Sequence, residues 1–283
     1  MASKLPAVFF GALLSAAALT FTPTGQHYTK LLLSNLTKAK AALPASFNLP
    51  SAGQGHHQAG GAGAFAGCPQ FFFEGVPPQV DHAERWQPRA LCFSAFAVYH
   101  SGASHTPLFV AERLNKAQLL DAQDEQRTNR FYAEARLPSA KRANLEDYKG
   151  SGYDRGHMAP AGDMPTPEAM AQSFSLANMV PQAPENNRGV WAKSVEKAVR
   201  KYVMRAGGDV YVITGPVFSQ HHSADPNMQR VWVPDALYKL VYDPATNKSW
   251  AYWVENRGDA KLDGVISYQT LVERTGLKLL PAL

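Results

Sequence analysis

The chain has 283 residues, of which 45% are hydrophobic and 18% are charged, and this balance excludes an intrinsically disordered protein. Its length leaves room for one sizeable folded domain after an N-terminal leader and a linker are subtracted. The net charge of +5 and the sequence pI of about 9.1 favour a polyanionic partner, either nucleic acid or an anionic membrane surface.

The N-terminus is predicted to be a targeting segment. Lys4 provides a short positive flank, and residues 5–21 are almost entirely apolar. This length lies between a signal-peptide core and a membrane span. Residues 1–25 are therefore predicted to be a signal peptide for a periplasmic or secreted protein, with an uncleaved inner-membrane anchor facing out of the cytoplasm as the alternative. Residues 26–67 are predicted to be a tether and a Gly/Ala-rich linker, and residues 68–283 the folded domain.

Cys68 and Cys92 are the two cysteines of the sequence. In an exported chain, two cysteines most simply form one disulfide. Closing a loop of roughly 25 residues would stabilise the folded state by about 3 kcal/mol in the chain-entropy description. Two free buried thiols are the alternative if the chain stays in the cytoplasm.

Short apolar runs rich in aromatic and branched residues predict strands, and apolar residues at helical spacing predict helices. Strands are predicted at residues 91–99, 107–112, 210–214, 237–242 and 249–255, and helices at 117–126, 167–177 and 189–206. Thr166 is the predicted N-cap of the second helix, and residues 144–153 are expected to be a loop. Several strands with a few inserted helices indicate an α+β domain, with a central antiparallel or mixed sheet flanked by helices.

The first candidate site is the run Asp154, Arg155, Gly156 and His157, which brings a carboxylate, a guanidinium and an imidazole together. Glycine permits unusual backbone angles, so Gly156 is expected to turn His157 to a different side from its neighbours. The ordinary pKa of His, about 6.5, suits proton abstraction near neutral pH. The alternative is a surface turn with a solvated ion pair.

The second candidate site begins at Asn187, ahead of the predicted basic helix. Amide oxygens are hard neutral ligands that suit Mg²⁺. Glu196 and Arg200 lie four residues apart on this helix. They either form an ordinary ion pair, worth about 0.3–0.5 kcal/mol, or hold the water of a metal ion and a phosphate.

Together, the motif Asp154–His157 and the segment Asn187–Trp191, with an acidic helix position beyond it, resemble the sugar-nonspecific DNA/RNA endonucleases of the ββα-metal fold. The resemblance covers the chain from about Cys68 to the C-terminus. It implies an endonuclease that hydrolyses DNA and RNA without sequence specificity, with Mg²⁺ as cofactor and Mn²⁺ as a substitute. Some family members are dimers, so a homodimer is one expected state. The alternative is a non-catalytic nucleic-acid-binding protein that retains the nuclease fold.

The resemblance also assigns roles to individual residues of the two motifs. His157 corresponds to the general base that activates the attacking water, and Asn187 to the direct protein ligand of Mg²⁺. Glu196 corresponds to the acid that holds the metal through water, and Arg200 to the cation beside the scissile phosphate. Because His157 must be neutral to accept a proton, activity is predicted to be lost as the pH falls through about 6.

Four further positions complete the implied site. Asp154 is expected to support the local geometry, and Arg155 to shape the site. Asn178 corresponds to a polar residue near the metal, with substrate contact as its expected role. An upstream arginine that binds phosphate corresponds to Arg130, with Arg127 as the alternative.

One spacing departs from the family pattern, because Glu196 follows Asn187 by nine residues rather than eight. On an ideal α-helix, eight residues give a rotation of about 80°, whereas nine give about 180° and place the side chain on the opposite face. The sequence therefore predicts either a helix that begins after Asn187 or a one-residue π-bulge between Trp191 and Glu196.

Overall fold

The computed structural model describes residues 63–219, 227–228 and 230–281. The predicted leader and nearly all of the predicted tether and linker lie outside these residues. Within the described part, no helix is both long enough and apolar enough to cross a membrane.

The largest element is a seven-stranded antiparallel sheet with the strand order β1-β2-β3-β6-β7-β8-β9. Its strands are β1 (Pro88–Cys92), β2 (Phe96–Ser101), β3 (Pro107–Leu114), β6 (Val210–Val217), β7 (Ala236–Asp243), β8 (Lys248–Glu255) and β9 (Val265–Ile266). Every residue of β2 and of β7 is buried, as expected for strands in the interior of a sheet with both faces covered.

A separate two-stranded antiparallel sheet is formed by β4 (Asp154–His157) and β5 (Met179–Gln182). Asp154 lies opposite Gln182, and His157 lies opposite Met179. The sequence analysis predicted neither strand, because four residues that mix charged and apolar side chains carry no recognisable alternation. The first candidate motif is therefore a strand and not a surface turn.

The helices are short and lie mainly between β3 and β6. They are α1 (Lys116–Asp121), α2 (Leu145–Tyr148), α3 (Pro167–Ser173), α4 (Pro184–Asn186), α5 (Lys197–Val203) and α6 (Tyr268–Thr275), with a π-helix (Asn187–Glu196) between α4 and α5. The predicted N-cap of α3 is confirmed, since the Thr166 hydroxyl accepts a hydrogen bond from the Ala169 amide at 3.1 Å. The expected loop at 144–153 contains α2, where Asp147 accepts from the Asn144 amide at 2.7 Å.

The predicted strand at 91–99 is wrong in one respect, because it contains a turn. Residues 91–92 end β1, and β2 begins at Phe96. The Phe93 amide donates to the Phe96 carbonyl at 2.9 Å, and the two phenyl rings stack with their centres 4.4 Å apart. The turn is as apolar as the strands on either side, so the pattern that predicts strands could not separate it from them.

Apolar side chains cover both faces of the large sheet. On one face, Val98 and Val110 belong to a buried cluster that also contains Met158, which follows His157, and Trp191 of the π-helix. On the other face, Ala97 belongs to a second cluster that contains Phe65. The two predicted site segments therefore lie on the same face of the sheet.

The N-terminal edge of the described domain is held by a disulfide and by aromatic contacts. Cys68 and Cys92 are bonded, with their Cα atoms 5.8 Å apart, which confirms the predicted pairing. Phe65 is buried, and its ring centre lies 4.8 Å from that of Phe72. The predicted linker therefore ends before Phe65, since this residue already packs in the core.

Candidate active site

Strand β4 divides the first motif between two faces. Side chains alternate along a strand, so Arg155 and His157 share one face, and Asp154 and Gly156 share the other. Phe131 lies beside the first pair: the Arg155 guanidinium carbon is 4.1 Å from its ring centre, and the His157 ring centre is 5.8 Å away. The strand alone therefore presents the imidazole and the carboxylate in different directions.

Gly156 is required for a reason other than the one predicted. It is not among the glycines with positive φ in the described chain, so the expected unusual backbone angles are absent. A Cβ at this position would overlap the Gln182 carboxamide oxygen and lie 2.8 Å from the Gln182 Cβ. Glycine is therefore needed because the side chain of Gln182 on β5 crosses directly over it.

His157 lies in an aromatic enclosure and is 7% exposed. Its ring meets that of Phe174 edge to face, with the centres 5.0 Å apart. The Nε2 atom is buried and has no hydrogen-bond partner among the described residues. Burial, and then the positive charge of Arg127, lower the pKa of His157 to about 3. The imidazole is therefore neutral at physiological pH, with a nitrogen available to accept a proton.

This environment changes the expected pH dependence of the reaction. An exposed histidine would lose its function as a base near pH 6. With the pKa of His157 held at about 3, the imidazole stays neutral from pH 8 down to pH 5. The activity loss near pH 6 stays a prediction, and the lowered pKa moves the pH at which His157 gains a proton to more acidic solution.

The buried imidazoles of His157 and His100 also make the folded state sensitive to acid. Burial lowers the pKa of each to about 3, whereas in the unfolded chain it is about 6.5. Below pH 6.5 the unfolded chain therefore binds more protons, and stability that is fully present above pH 6.5 is lost towards pH 3. We expect the stability advantage of the wild type over His157→Gln to shrink by about 1.4 kcal/mol per pH unit between pH 6 and 4.

Urea denaturation in EDTA at pH 7, 6, 5 and 4 measures this difference. Comparison with the variant is necessary because burial raises the pKa values of Glu112 and Glu196, and raised carboxyl pKa values change stability in the opposite direction. His100→Gln should give a similar slope for the same reason. A difference between wild type and His157→Gln that stays constant with pH would show that the imidazole titrates normally.

Asp154 links the two predicted motifs. One of its oxygens, Oδ2, accepts hydrogen bonds from Asn187 Nδ2 at 2.9 Å and from Arg188 Nε at 2.7 Å. Because the amide nitrogen of Asn187 is held in this way, its Oδ1 atom is left to face another partner. A neutral amide oxygen with a fixed orientation fits the ligand preference of Mg²⁺.

The helix after Asn187 accommodates the extra residue in a π-helical segment that is longer than predicted. Ten residues, Asn187–Glu196, have π-helical bonding, and Gly189 departs from helical backbone angles. Bonding from residue i to i+5 places more residues in each turn than α-helical bonding does. This is the direction of change that the extra residue between Asn187 and Glu196 requires. The π-bulge hypothesis is confirmed in kind, and the π-helical region is longer than the predicted single residue.

Glu196 and Arg200 are adjacent, but they are not the tightest pair here. Their closest oxygen and nitrogen atoms are 3.7 Å apart, whereas Arg200 Nη1 lies 2.9 Å from Asp163 Oδ1. Asp163 is 3% exposed, and the sequence analysis did not identify it. Burial raises the pKa of Glu196, while the charges of Lys239 and Arg200 act in the opposite direction. The arginine is thus oriented mainly by Asp163.

Asn178 belongs to the scaffold of the site. Its Oδ1 accepts from the Ala159 amide at 2.9 Å, and its Nδ2 donates to the carbonyls of Ala159 and Ser173, both at 2.9 Å. The side chain is completely buried. This corrects the expectation that Asn178 contacts substrate, because its amide is already fully used in holding the turn after His157.

Of the two upstream arginines, Arg127 lies beside the catalytic candidates. Its guanidinium carbon is 5.1 Å from the ring centre of Phe174. Its charge acts on both His157 and Glu196. Arg127 and Arg130 are both exposed, and the correspondence of Arg130 to a phosphate-binding arginine stays a prediction. The geometry favours Arg127, the alternative in the sequence analysis.

Known proteins that are similar to this chain include several that are named as nucleases. Nuclease EXOG, mitochondrial, of Xenopus laevis is 36% identical over 155 residues, which cover 51% of this chain and 42% of the relative. Nuclease C1 of Cunninghamella echinulata var. echinulata is 40% identical over 134 residues, which cover 44% of this chain and 52% of the relative. The matched part therefore spans about half of the length of these relatives, or less.

A chain from the crystal structure of the EndoG/EndoGI complex has the same fold. It superimposes with a TM-score of 0.60 at 24% identity, covering 76% of this chain and 90% of the solved one. This confirms the predicted α+β architecture of the ββα-metal type. The model of the family described as DNA/RNA non-specific endonuclease matches residues 79–282, which is more than half of the chain. On its motifs, its fold and this match, the protein belongs to the DNA/RNA non-specific endonuclease family.

Proposed function

We propose that this protein is a metal-dependent endonuclease that hydrolyses phosphodiester bonds of DNA and RNA without sequence preference. One observation carries the proposal: strand β4 holds a neutral His157 with an unpaired buried nitrogen, while Asp154 on the same strand orients the amide of Asn187. A proton acceptor and an oxygen ligand are thus fixed relative to each other by four residues of backbone. That pairing serves hydrolysis better than simple binding of nucleic acid.

In this proposal, His157 takes the proton from the attacking water, since its pKa keeps it unprotonated. Asn187 and, through water, Glu196 would hold Mg²⁺, which when bound stabilises negative charge on the phosphate and the leaving oxygen. Arg200 is the cation that faces the phosphate, and Arg127 adds positive charge beside the base. The expected product carries a 5′-phosphate.

The exposed lysines of the helix offer contacts to phosphate, which would give no sequence preference. Lys193, Lys197 and Lys201 follow one another at intervals of four residues from the π-helix into α5, and all three are exposed. Lysines of this kind bind backbone phosphates, which carry no sequence information. Binding through them should weaken steeply as salt is added.

Export is part of the proposal. The apolar segment at residues 5–21 supports it, and so does the Cys68–Cys92 disulfide, since such bonds persist in oxidising compartments. We therefore propose a periplasmic or secreted protein, with an inner-membrane anchor that faces out of the cytoplasm as the second form. Fractionation of cells, with N-terminal sequencing of the mature protein, distinguishes the two.

A plasmid and an RNA assay test the proposed activity. The purified protein should degrade both substrates in Mg²⁺, stop when EDTA is added, and resume when Mg²⁺ or Mn²⁺ is restored in excess. The products should be ligatable without prior phosphorylation. Binding of plasmid without degradation under any of these metals would overturn the proposal in favour of the non-catalytic alternative.

Removal of the Asn187 amide should weaken metal dependence specifically. We expect Asn187→Ala to reduce cleavage by about 100-fold at low Mg²⁺ and to raise the Mg²⁺ concentration that gives half of the maximal rate, because an oxygen ligand is lost. Initial rates across a Mg²⁺ titration measure both effects.

The neighbouring variant Arg188→Ala is the matched control. It removes an ion pair in which Arg188 is 72% exposed and Asp154 17%, while the hydrogen bond from Asn187 Nδ2 to Asp154 Oδ2 is retained. Its rates should stay within about threefold of wild type. If Asn187→Ala and Arg188→Ala had the same Mg²⁺ requirement as wild type, Asn187 would not be a metal ligand.

A further inference from the structure

Three charged side chains lie buried beneath the site, and the proposed chemistry does not use them. Glu112 on β3 is 0% exposed, Lys239 on β7 is 1% exposed, and Asp163 lies in the turn after β4. Charged residues are rarely buried to this extent unless they are paired. Asp163 contacts Arg200 directly, and the charges of Lys239 and Asp163 act on Glu196. The charges of Glu196 and Arg200 act on Glu112. The three side chains therefore form one network with Glu196 and Arg200.

Lys239 connects the large sheet to the end of β4. Its Nζ atom donates to Thr214 Oγ1 at 2.6 Å and to the Met158 carbonyl at 3.2 Å, and it lies 3.8 Å from Glu112 Oε2. Met158 directly follows His157 in the chain. The lysine therefore holds the backbone immediately after the proposed general base against the rigid centre of the sheet.

Asp163 connects the same segment to the helix. Its Oδ1 accepts from Arg200 Nη1 at 2.9 Å, while Arg200 Nη2 reaches towards Glu196 at 3.7 Å. The turn that carries Asp163 begins at Ala161, four residues after His157. The chain from His157 to Asp163 is thus attached at one point to the sheet and at another to the arginine.

We propose that Asp163 and Lys239 are positioning residues for phosphodiester hydrolysis, with Asp163 fixing the guanidinium of Arg200 and Lys239 fixing the backbone beside His157. This inference rests on the proposed function, because it concerns the same site. Stability alone does not require such a network, since buried ion pairs can often be replaced by apolar residues of similar volume at little or no cost. Fixed geometry is what the network provides, and a displacement of about 1 Å can cost 10²-fold in rate.

A double-mutant cycle tests the role of Asp163. We expect Asp163→Ala to lower kcat about tenfold, with a smaller loss of DNA binding, and Asp163→Asn, which keeps an acceptor oxygen, to lie between Ala and wild type. If Asp163 acts through Arg200, the double variant Asp163→Ala/Arg200→Ala is no slower than Arg200→Ala alone. A purely structural role would give the same additional loss in both backgrounds and would overturn the inference.

The same double-mutant cycle is measured a second time by DNA binding, under conditions without cleavage. Fluorescence anisotropy with a short DNA duplex in EDTA measures binding, to which Arg200 contributes through phosphate. The loss from Asp163→Ala should again vanish when Arg200 is already alanine. If wild type binds but never cleaves, the proposed function fails, and this binding cycle still decides whether Asp163 fixes the guanidinium of Arg200. If Arg200→Ala is impaired and Asp163→Ala behaves as wild type in both readouts, only the inference fails.

To test the role of Lys239, its partner Glu112 is replaced together with the lysine. Lys239→Met leaves Glu112 buried without a cation, so it is expected to lower the Tm strongly. Adding Glu112→Gln removes that stranded charge and should restore most of the Tm. The double variant should nevertheless cleave about tenfold more slowly than wild type, because the Met158 carbonyl is no longer held. A stable double variant with wild-type kcat would show that Lys239 serves only the fold.

Discussion

Replacing His157 with alanine is expected to lower kcat on both DNA and RNA by about 10³-fold at saturating Mg²⁺. General bases contribute roughly 10²–10⁴-fold to enzymatic rates, and the Nε2 atom of His157 has no hydrogen-bond partner in the described chain. The imidazole packs against Phe131 and Phe174, so its removal leaves a cavity rather than a rearranged strand. Initial-rate kinetics with a plasmid and with RNA measure the loss.

His82→Ala is the control for this substitution. Its imidazole is exposed, with its nearest ionic contact at 3.8 Å from Glu84, so its removal should leave both rates unchanged. Circular dichroism should show that His157→Ala keeps the wild-type fold. If the folded variant retained the wild-type rate, the assignment of His157 as the base would be lost.

The second large effect is on stability and is expected at Gly156. An alanine there would place its Cβ 2.8 Å from the Cβ of Gln182 and against the Gln182 carboxamide oxygen. Gln182 cannot move freely, because its Nε2 donates to Asn186 Oδ1 at 2.8 Å, directly before Asn187. We expect Gly156→Ala to lower the free energy of unfolding by about 3 kcal/mol, the upper range for overpacking a core. Cleavage should fall as well, since Asn187 is displaced through this chain of contacts.

Urea denaturation measures the loss, and two variants separate its cause. Gly207→Ala places a Cβ in open space, so it should change stability by less than about 0.5 kcal/mol. Gln182→Gly removes the clashing side chain, so Gly156→Ala should cost little in that background. An equal cost of Gly156→Ala with and without the Gln182 side chain would show that contact with Gln182 is not the cause.

Gly156 was predicted to be required for its backbone angles, but it is required for its contact with Gln182. The motif Asp154–His157 pointed to this segment because its residue types are chemically suited to hydrolysis, and the structure places the motif on a strand with His157 buried. The reason for the glycine was wrong, since it depends on Gln182, which lies 26 residues away in the chain and pairs with Asp154 on β4, so that its side chain reaches Gly156 only in the folded sheet. The sequence suggested that local backbone conformation requires the glycine, but the tertiary contact with Gln182 is what requires it.

The nine-residue spacing between Asn187 and Glu196 was more informative. An anomaly of one residue on a helix has few physical solutions, because every residue shifts the side-chain direction by about 100°. The sequence therefore predicted either a helix that begins after Asn187 or a one-residue π-bulge, and the structure contains π-helical bonding over Asn187–Glu196 with a break in helical backbone angles at Gly189. Helical phase is a local property, so the sequence could predict it.

The network around Asp163 and Lys239 could not be predicted in the same way. Each residue is a single charged side chain without a repeating pattern, and their partners lie on other elements of the fold. Asn178 illustrates the opposite error: its amide type suggested contact with substrate, but burial and three hydrogen bonds assign it to the scaffold. Residue type alone does not distinguish a reacting group from one that holds it in place.

Chemical rescue tests the central claim, that His157 is the base and Asn187 the metal ligand, most directly. Cleavage by His157→Ala and by Asn187→Ala is measured in Mg²⁺ with increasing concentrations of imidazole. The aromatic enclosure left by His157→Ala should admit the added base, so imidazole is expected to accelerate this variant and to leave Asn187→Ala unchanged. Equal acceleration of the two variants, or wild-type cleavage by His157→Ala without imidazole, would contradict the proposed mechanism.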